Sequence, residues 1–235
     1  LPRYEGIVAL LHRRSLMNSI SSVPSVVAAV LHAAARRFRT SEERSKVLAC
    51  TAGLLSVVAF VLYNWKNLAG ATHPNLSSWG VWAFITVLNF TSYKKLTGDW
   101  VKSVLPTANA VMCILTALLA LRTGSFQGLS GIDQLCLLIG VLAGVCWWVF
   151  KSKDFAETLV QIMLQTAIVV GFVPTILGVI HNPSSEPWLS WLLWTASFLT
   201  QFFVVKATWR GKLIDFLYPV NMFLFHAAVF ALAIM

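Results

Sequence analysis

Acidic residues are scarce in this chain, 9 in 235, and charged residues of both signs make up only 11%. A soluble domain carries about a quarter charged residues. With 57% hydrophobic residues and a mean hydropathy of +0.73, a water-facing surface would consist of large apolar patches. A soluble fold is therefore excluded. Other absences narrow the chemistry. His12, His32, His73, His181 and His226 show no His-Glu-x-x-His or comparable ligand spacing, so no metal is implied. There is no Ser-His-Asp set, no paired-carboxylate site and no phosphate loop. The sequence thus offers no catalytic residues, and no cofactor is expected. Cys50, Cys113, Cys136 and Cys146 lie in apolar runs and read as small packing residues. Asp99, Asp133, Asp154, Glu157, Glu186 and Asp215 all fall in loops or at the ends of apolar runs. With no carboxylate inside the membrane, a proton- or sodium-driven pump is disfavoured and facilitated diffusion is favoured.

What the chain does have is long apolar runs. Seven are expected to span, at about 47–63, 77–93, 103–121, 132–150, 159–180, 188–205 and 214–235. Each approaches the ~20 residues that a helix needs to cross a ~30 Å hydrocarbon layer. In lipid the backbone must satisfy its own hydrogen bonds, which leaves helices or closed barrels. The runs lack the apolar/polar alternation of barrel strands, so helices are predicted.

Residues 1–46 form a separate basic segment. Its Arg/Ser-rich composition resembles an organelle transit segment, but an interfacial helix explains it better. Over 23–46, Val27, Val30, Leu31, Ala34 and Phe38 share one helical face, and His32, Arg36 and Arg39 the other. Such a helix lies on a bilayer with its arginines at anionic headgroups, or packs on a partner protein. Thr40 and Glu43 form a capping box that starts the first span. All of the 18 Lys and Arg residues except Lys66 and Arg122 fall on the side of this segment. That bias places the N-terminus on the cytoplasm, matrix or stroma side. The membrane is then a bacterial cytoplasmic membrane or an organelle inner membrane. The +9 net charge belongs to the bilayer surface, and no nucleic acid is expected as a partner.

The chain also repeats itself. "SWGVW" at 78–82 returns as "SWLLW" at 190–194, and "VVAFV" at 57–61 as "VVGFV" at 169–173. Phe90 and Phe202, Lys94 and Lys206, Leu105 and Leu217, and Asn109 and Asn221 keep the same offset of 112 without a gap. The expected fold is all-α and polytopic, with two three-helix repeats, 47–121 and 159–235. The helix 132–150 joins them and lets both repeats run parallel about an axis along the membrane normal. In transporters built of such repeats, the solute site lies between them near the midplane.

Polar residues inside spans mark the candidate site. Asn109 pairs with Asn221, and Asn89 with Gln201, at the repeat offset. Amides offer donors and acceptors without a charge to desolvate, which suits a neutral solute. The alternative is interhelical bonding, at ~0.6 kcal/mol per bond. Gln161 and Gln165 share a face of the fifth span and read as packing links. Trp79 and Trp191 begin their spans and read as belt anchors, as do Trp147 and Trp148. Trp82 and Trp194, one turn deeper, are placed to stack on a sugar or nucleoside ring or to cap the outer gate. His226 reads as a packing histidine.

The three-plus-one-plus-three layout resembles the SWEET sugar transporters and the wider PQ-loop group. It is also similar to the bacterial nicotinamide riboside transporters. Three features carry the likeness: Asn109 and Asn221 in the third helix of each repeat, Trp191 to Trp194 at the start of the sixth, and Pro174 in "GFVPTI". The resemblance implies a passive carrier for a small neutral polar solute, a sugar or a nucleoside. Asn109, Asn221, Asn89, Gln201, Trp82 and Trp194 would bind it. The second reading is a non-transporting scaffold subunit, bound to other membrane proteins or to its own copies.

Overall fold

The computed structural model describes residues 41–70, 76–123, 128–150 and 155–235. Residues 45–235 form one compact unit. The interfacial helix expected over 23–46, and the cap residue Thr40, lie outside the described residues except for 41–46. Among the described residues all regular structure is helical. In chain order the helices are α1 (Ser41–Leu68), α2 (Leu76–Thr97), α3 (Trp100–Thr123), α4 (Gly131–Phe150), α5 (Ala156–His181), α6 (Trp188–Ala207) and α7 (Leu217–Ala233). Short 3₁₀ turns at Pro183–Ser185 and Leu213–Phe216 precede α6 and α7.

Among the described residues, six stretches are long and apolar enough to cross a membrane: α1, α3, α4, α5, α6 and Leu213–Ala233, which contains α7. The chain is therefore an integral, multi-pass membrane protein. The exception is α2. It is 22 residues long, but Thr86, Asn89, Ser92 and Tyr93 dilute its hydropathy. All four are buried against neighbouring helices. The helices also outrun the expected spans. Lys94 and Lys95 sit in the last turn of α2 and Lys102 in the first turn of α3. The supposed loop 94–102 is only the turn at Gly98 and Asp99, where Gly98 takes φ 60°.

Small residues on α4 show how the helices are brought together. Cys136, Gly140 and Ala143 are buried, while Leu135, Leu138, Val141, Leu142, Val145 and Val149 are exposed. This is one packed stripe and one lipid face. A Cβ on Gly140 would stand 3.1 Å from Phe84 Cε1, so the glycine lets α2 approach closely. Hydrogen bonds tie the remaining neighbours. The Ser56 hydroxyl donates to Asn109 Oδ1, and Asn64 Nδ2 donates to Thr116 Oγ1 at 2.9 Å, linking α1 to α3 two turns apart. Ser197 Oγ donates to the Ala52 carbonyl at 2.7 Å, joining α6 to α1.

The bundle has two distinct ends. At one, Tyr93 Oη donates to the Asp215 carbonyl at 2.8 Å, and Lys95 pairs with Glu157 at 2.9 Å. The α2–α3, α4–α5 and α6–α7 connections therefore share this end, together with Lys94, Lys206, Arg210 and Lys212. At the other end the α5–α6 turn meets the C-terminal part of α1 and the first turns of α2.

Candidate functional site

At that second end lies a cavity of about 640 Å³. Seven aromatic rings form much of its wall. Phe60 and Tyr63 come from α1, Trp79 and Trp82 from α2, Phe172 from α5, Trp191 and Trp194 from α6. Each is placed by its helix. Trp79 and Trp82 lie three residues apart and so face the same way, as do Trp191 and Trp194. Phe60 meets Trp194 edge-on at 4.8 Å and 74°. Phe172 meets Trp82 at 5.2 Å and 75°. Phe60 also meets Trp79 at 6.1 Å and 66°, and Phe172 meets Trp191 at 6.2 Å and 61°. Gly171 makes room for one wall, since a Cβ there would stand 3.0 Å from Trp82 Cζ2. Pro174 continues within α5 but cannot donate to the carbonyl of Val170.

Polar groups share this space with the rings, among them Ser78 and Ser185. Thr86, Asn109, Thr175 and His226 lie along it, and Asn182, Ser184 and Glu186 stand at the α5–α6 turn. His226 Nδ1 lies 2.7 Å from the Met222 carbonyl. A carbonyl only accepts, so Nδ1 carries the proton and a neutral ring keeps Nε2 as an acceptor. Glu186 accepts the Trp191 indole N–H at 2.9 Å through Oε2. Burial pushes the Glu186 carboxyl up to about 7, and the Trp191 hydrogen bond pulls it partly back. The indole N–H of Trp194 is buried with no partner among the described residues.

Toward the basic end the cavity is plugged. Asn109 is engaged on both sides of its amide: Ser56 donates to Oδ1, and Nδ2 donates to Tyr218 Oη at 2.9 Å. Tyr218 packs on Tyr93 at 5.4 Å and on Phe198 at 5.6 Å. Leu105 and Phe198 are 0% exposed. Beneath them Lys102 Nζ pairs with Asp215 Oδ2 at 2.6 Å, with side chains 1% and 2% exposed. Gln201 Nε2 donates to the Lys102 carbonyl at 2.6 Å.

The expected site residues therefore separate. Trp82, Trp194 and Asn109 line one cavity. Asn221, Asn89 and Gln201 do not. Asn221 Nδ2 donates to Gln165 Oε1 at 2.9 Å. Asn89 Oδ1 accepts from Gln161 and Gln165, each at 2.8 Å. These amides join α2, α5 and α7, because each had a complementary amide within reach. Trp79 and Trp191, expected as belt anchors, line the cavity instead, and Trp191 is buried. Trp147 meets Lys95 at 5.2 Å, while Trp148 is fully outward at 71% exposure.

Sequence reasoning missed Glu186, Lys102 and Asp215 as interior groups. All three sit beside span ends, where a buried charge and a solvated one look alike. One signal was present for the pair. At the 112-residue offset Asp215 matches Ser103, which sets it next to Lys102.

No protein-family model, curated protein or solved structure matches the chain. The functional reading rests on the site.

Proposed function

We propose that this protein is a passive carrier that moves a small polar solute, of sugar or nucleoside size, across its membrane. The observation that carries the reading is the cavity, which opens at one end of the bundle and is plugged at the other. Its volume falls in the ~300–1,000 Å³ range of small-molecule sites. Its tryptophan and phenylalanine faces suit a ring, and its polar groups suit hydroxyls or ring nitrogens.

The repeat enters as support for alternating access. Under the offset of 112, Phe60 corresponds to Phe172, Trp79 to Trp191 and Trp82 to Trp194. The contact of Trp82 with Phe172 then answers that of Trp194 with Phe60, and Trp79 with Phe60 answers Trp191 with Phe172. Distances agree within each pair, 5.2 against 4.8 Å and 6.1 against 6.2 Å. Two of these contacts join opposite repeats and two lie within a repeat, which is what two parallel units about one axis would give. Rocking of 47–121 against 159–235 would part the plug and close the aromatic mouth. The basic end favours the cytoplasm, matrix or stroma side. α2 counts here as the seventh span, its polar side covered by protein.

The scaffold reading keeps one observation in its favour. Most of the interior amides are consumed by interhelical bonds. Purified protein in vesicles separates the two. A carrier should accumulate a labelled sugar or nucleoside down its gradient, and Trp194→Ala should reduce uptake at least ~tenfold while the protein stays folded. A folded wild-type protein that moves none of a broad panel of sugars, nucleosides and amines supports the scaffold.

A further inference from the structure

The cavity has an uneven charge inventory. Among the described residues, seven aromatic rings line it, with one carboxyl group, Glu186, and no lysine or arginine. This is notable in a chain of net charge +9. Among the described residues, Lys94, Lys95, Lys206, Arg210 and Lys212 gather instead at the plugged end. Ring faces carry negative potential and attract cations within about 6 Å of their centroids. A half-buried carboxylate among them adds a full charge of the same sign. For a neutral solute the carboxyl is a burden, because its charge must be desolvated with only the Trp191 N–H to compensate.

From this we infer that the cavity recognises a small organic cation, an amine or quaternary ammonium group held between the tryptophan faces and countered by Glu186. The inference rests on the cavity being a solute site and specifies the charge of the solute. It departs from the neutral solute that the amides in the sequence favoured, since Asn221, Asn89 and Gln201 are bonded within the bundle and do not line the cavity.

Other groups near Glu186 do not supply the missing charge. Tyr63 faces it from α1 and Trp191 from α6. α2 contributes Ser78 and Trp79 to the same wall. His181 ends α5 and is exposed. His226, from α7, lies among Phe172, Trp191, Trp194 and Phe198 at 4.8–5.7 Å. His73 lies outside the described residues. A proton and an organic cation therefore compete for one carboxylate. With the carboxyl raised to about 7, the protonated form dominates below that pH and the ionised form above it. Cation binding should strengthen as pH rises through 7.

The test uses the full chain in detergent or nanodiscs, with tryptophan fluorescence and calorimetry as readouts. The probes are tetramethylammonium, choline and benzyltrimethylammonium, which present one headgroup at three sizes. The control is 3,3-dimethylbutan-1-ol, an uncharged carbon isostere of choline. At least one cation should bind, and choline should bind at least about tenfold more tightly than the isostere. Affinity should fall about tenfold from pH 8 to pH 6, following the ionised fraction of Glu186. Glu186→Gln keeps the shape and an oxygen for the Trp191 N–H. It should weaken cation binding about tenfold and remove the pH dependence, with an unchanged unfolding temperature. Binding of none of the three cations overturns the inference, as does equal binding of the isostere or indifference to Glu186→Gln. Uptake of a neutral sugar or nucleoside that still depends on Trp194 would overturn it too, yet leave the carrier reading standing. A folded protein that transports neither class defeats both.

Discussion

At the scale of single residues, the pair Lys102 and Asp215 shows how much a buried charge depends on its partner. Each side chain is almost fully enclosed and they meet at 2.6 Å. Removing one leaves the other uncompensated in a low-dielectric interior, which costs ~3–5 kcal/mol. Lys102→Met is expected to destabilise the protein by about that much in SDS-titrated unfolding. The double change Lys102→Met with Asp215→Leu should recover most of the loss, since two apolar side chains need no counter-charge. A double variant as unstable as the single one would contradict this account of the plug. The same two residues mark the boundary of what the sequence discloses. Hydropathy separates apolar runs from polar gaps, but it does not say which gap residue turns inward. Glu186 escaped for that reason, because its turn lies at the mouth of the cavity. The tryptophans were visible from the start. Only the side chains of their neighbours, Phe60 and Phe172, decide that Trp79 and Trp191 face a cavity and not lipid.

At the scale of elements, α2 and α5 form the polar seam of the bundle. Gln161 and Gln165 lie one turn apart on α5 and both donate to Asn89 Oδ1 on α2. Asn89→Ala removes the shared acceptor and leaves two buried donors. Bonds of this kind in membranes average ~0.6 kcal/mol, so a loss of about 1–3 kcal/mol is expected once both donors are unpaired. Unfolding in SDS should report it, and an unchanged midpoint would mean that water or a new partner satisfies both glutamines. Further along α5, Gly171 carries the wall of the cavity. Gly171→Val would push a branched side chain into the Trp82 ring, already at 3.0 Å from a bare Cβ. Solute or probe affinity should drop at least ~tenfold. Helices were the most legible part of the fold, since an apolar run of span length in lipid has one way to bond its backbone. Their ends were less so. Lys94, Lys95 and Lys102 read as loop residues but lie on helical turns: long basic side chains let α2 continue past its apolar run, and Lys102 turns inward to Asp215. α2 was legible as a helix, although among the described residues it is six other stretches that meet the length and hydropathy of a membrane span.

At the scale of the whole molecule, the asymmetry of its two ends predicts an orientation. Lys94, Lys95, Lys206, Arg210 and Lys212 collect at the plugged end. That end is expected to face the cytoplasm, matrix or stroma, so the cavity opens to the opposite side. Cys50, Cys113, Cys136 and Cys146 are free and must first be replaced. A single cysteine at Ser185, exposed beside the cavity mouth, should then react with an impermeant reagent added outside. Labelling only after permeabilisation would reverse the orientation. The plug has a further consequence, in electrical terms. A water-filled vestibule conducts, so a membrane voltage drops mainly across the thin solid layer from Asn109 to Lys102 and Asp215. A charge crossing that layer exchanges ~2.3 kcal/mol per 100 mV with the field. Lys102 and Asp215 cancel each other, so they would move through the field as a dipole with no net charge. The empty carrier would then rearrange almost silently, and any steady current recorded across the membrane would be a count of the charge on its cargo.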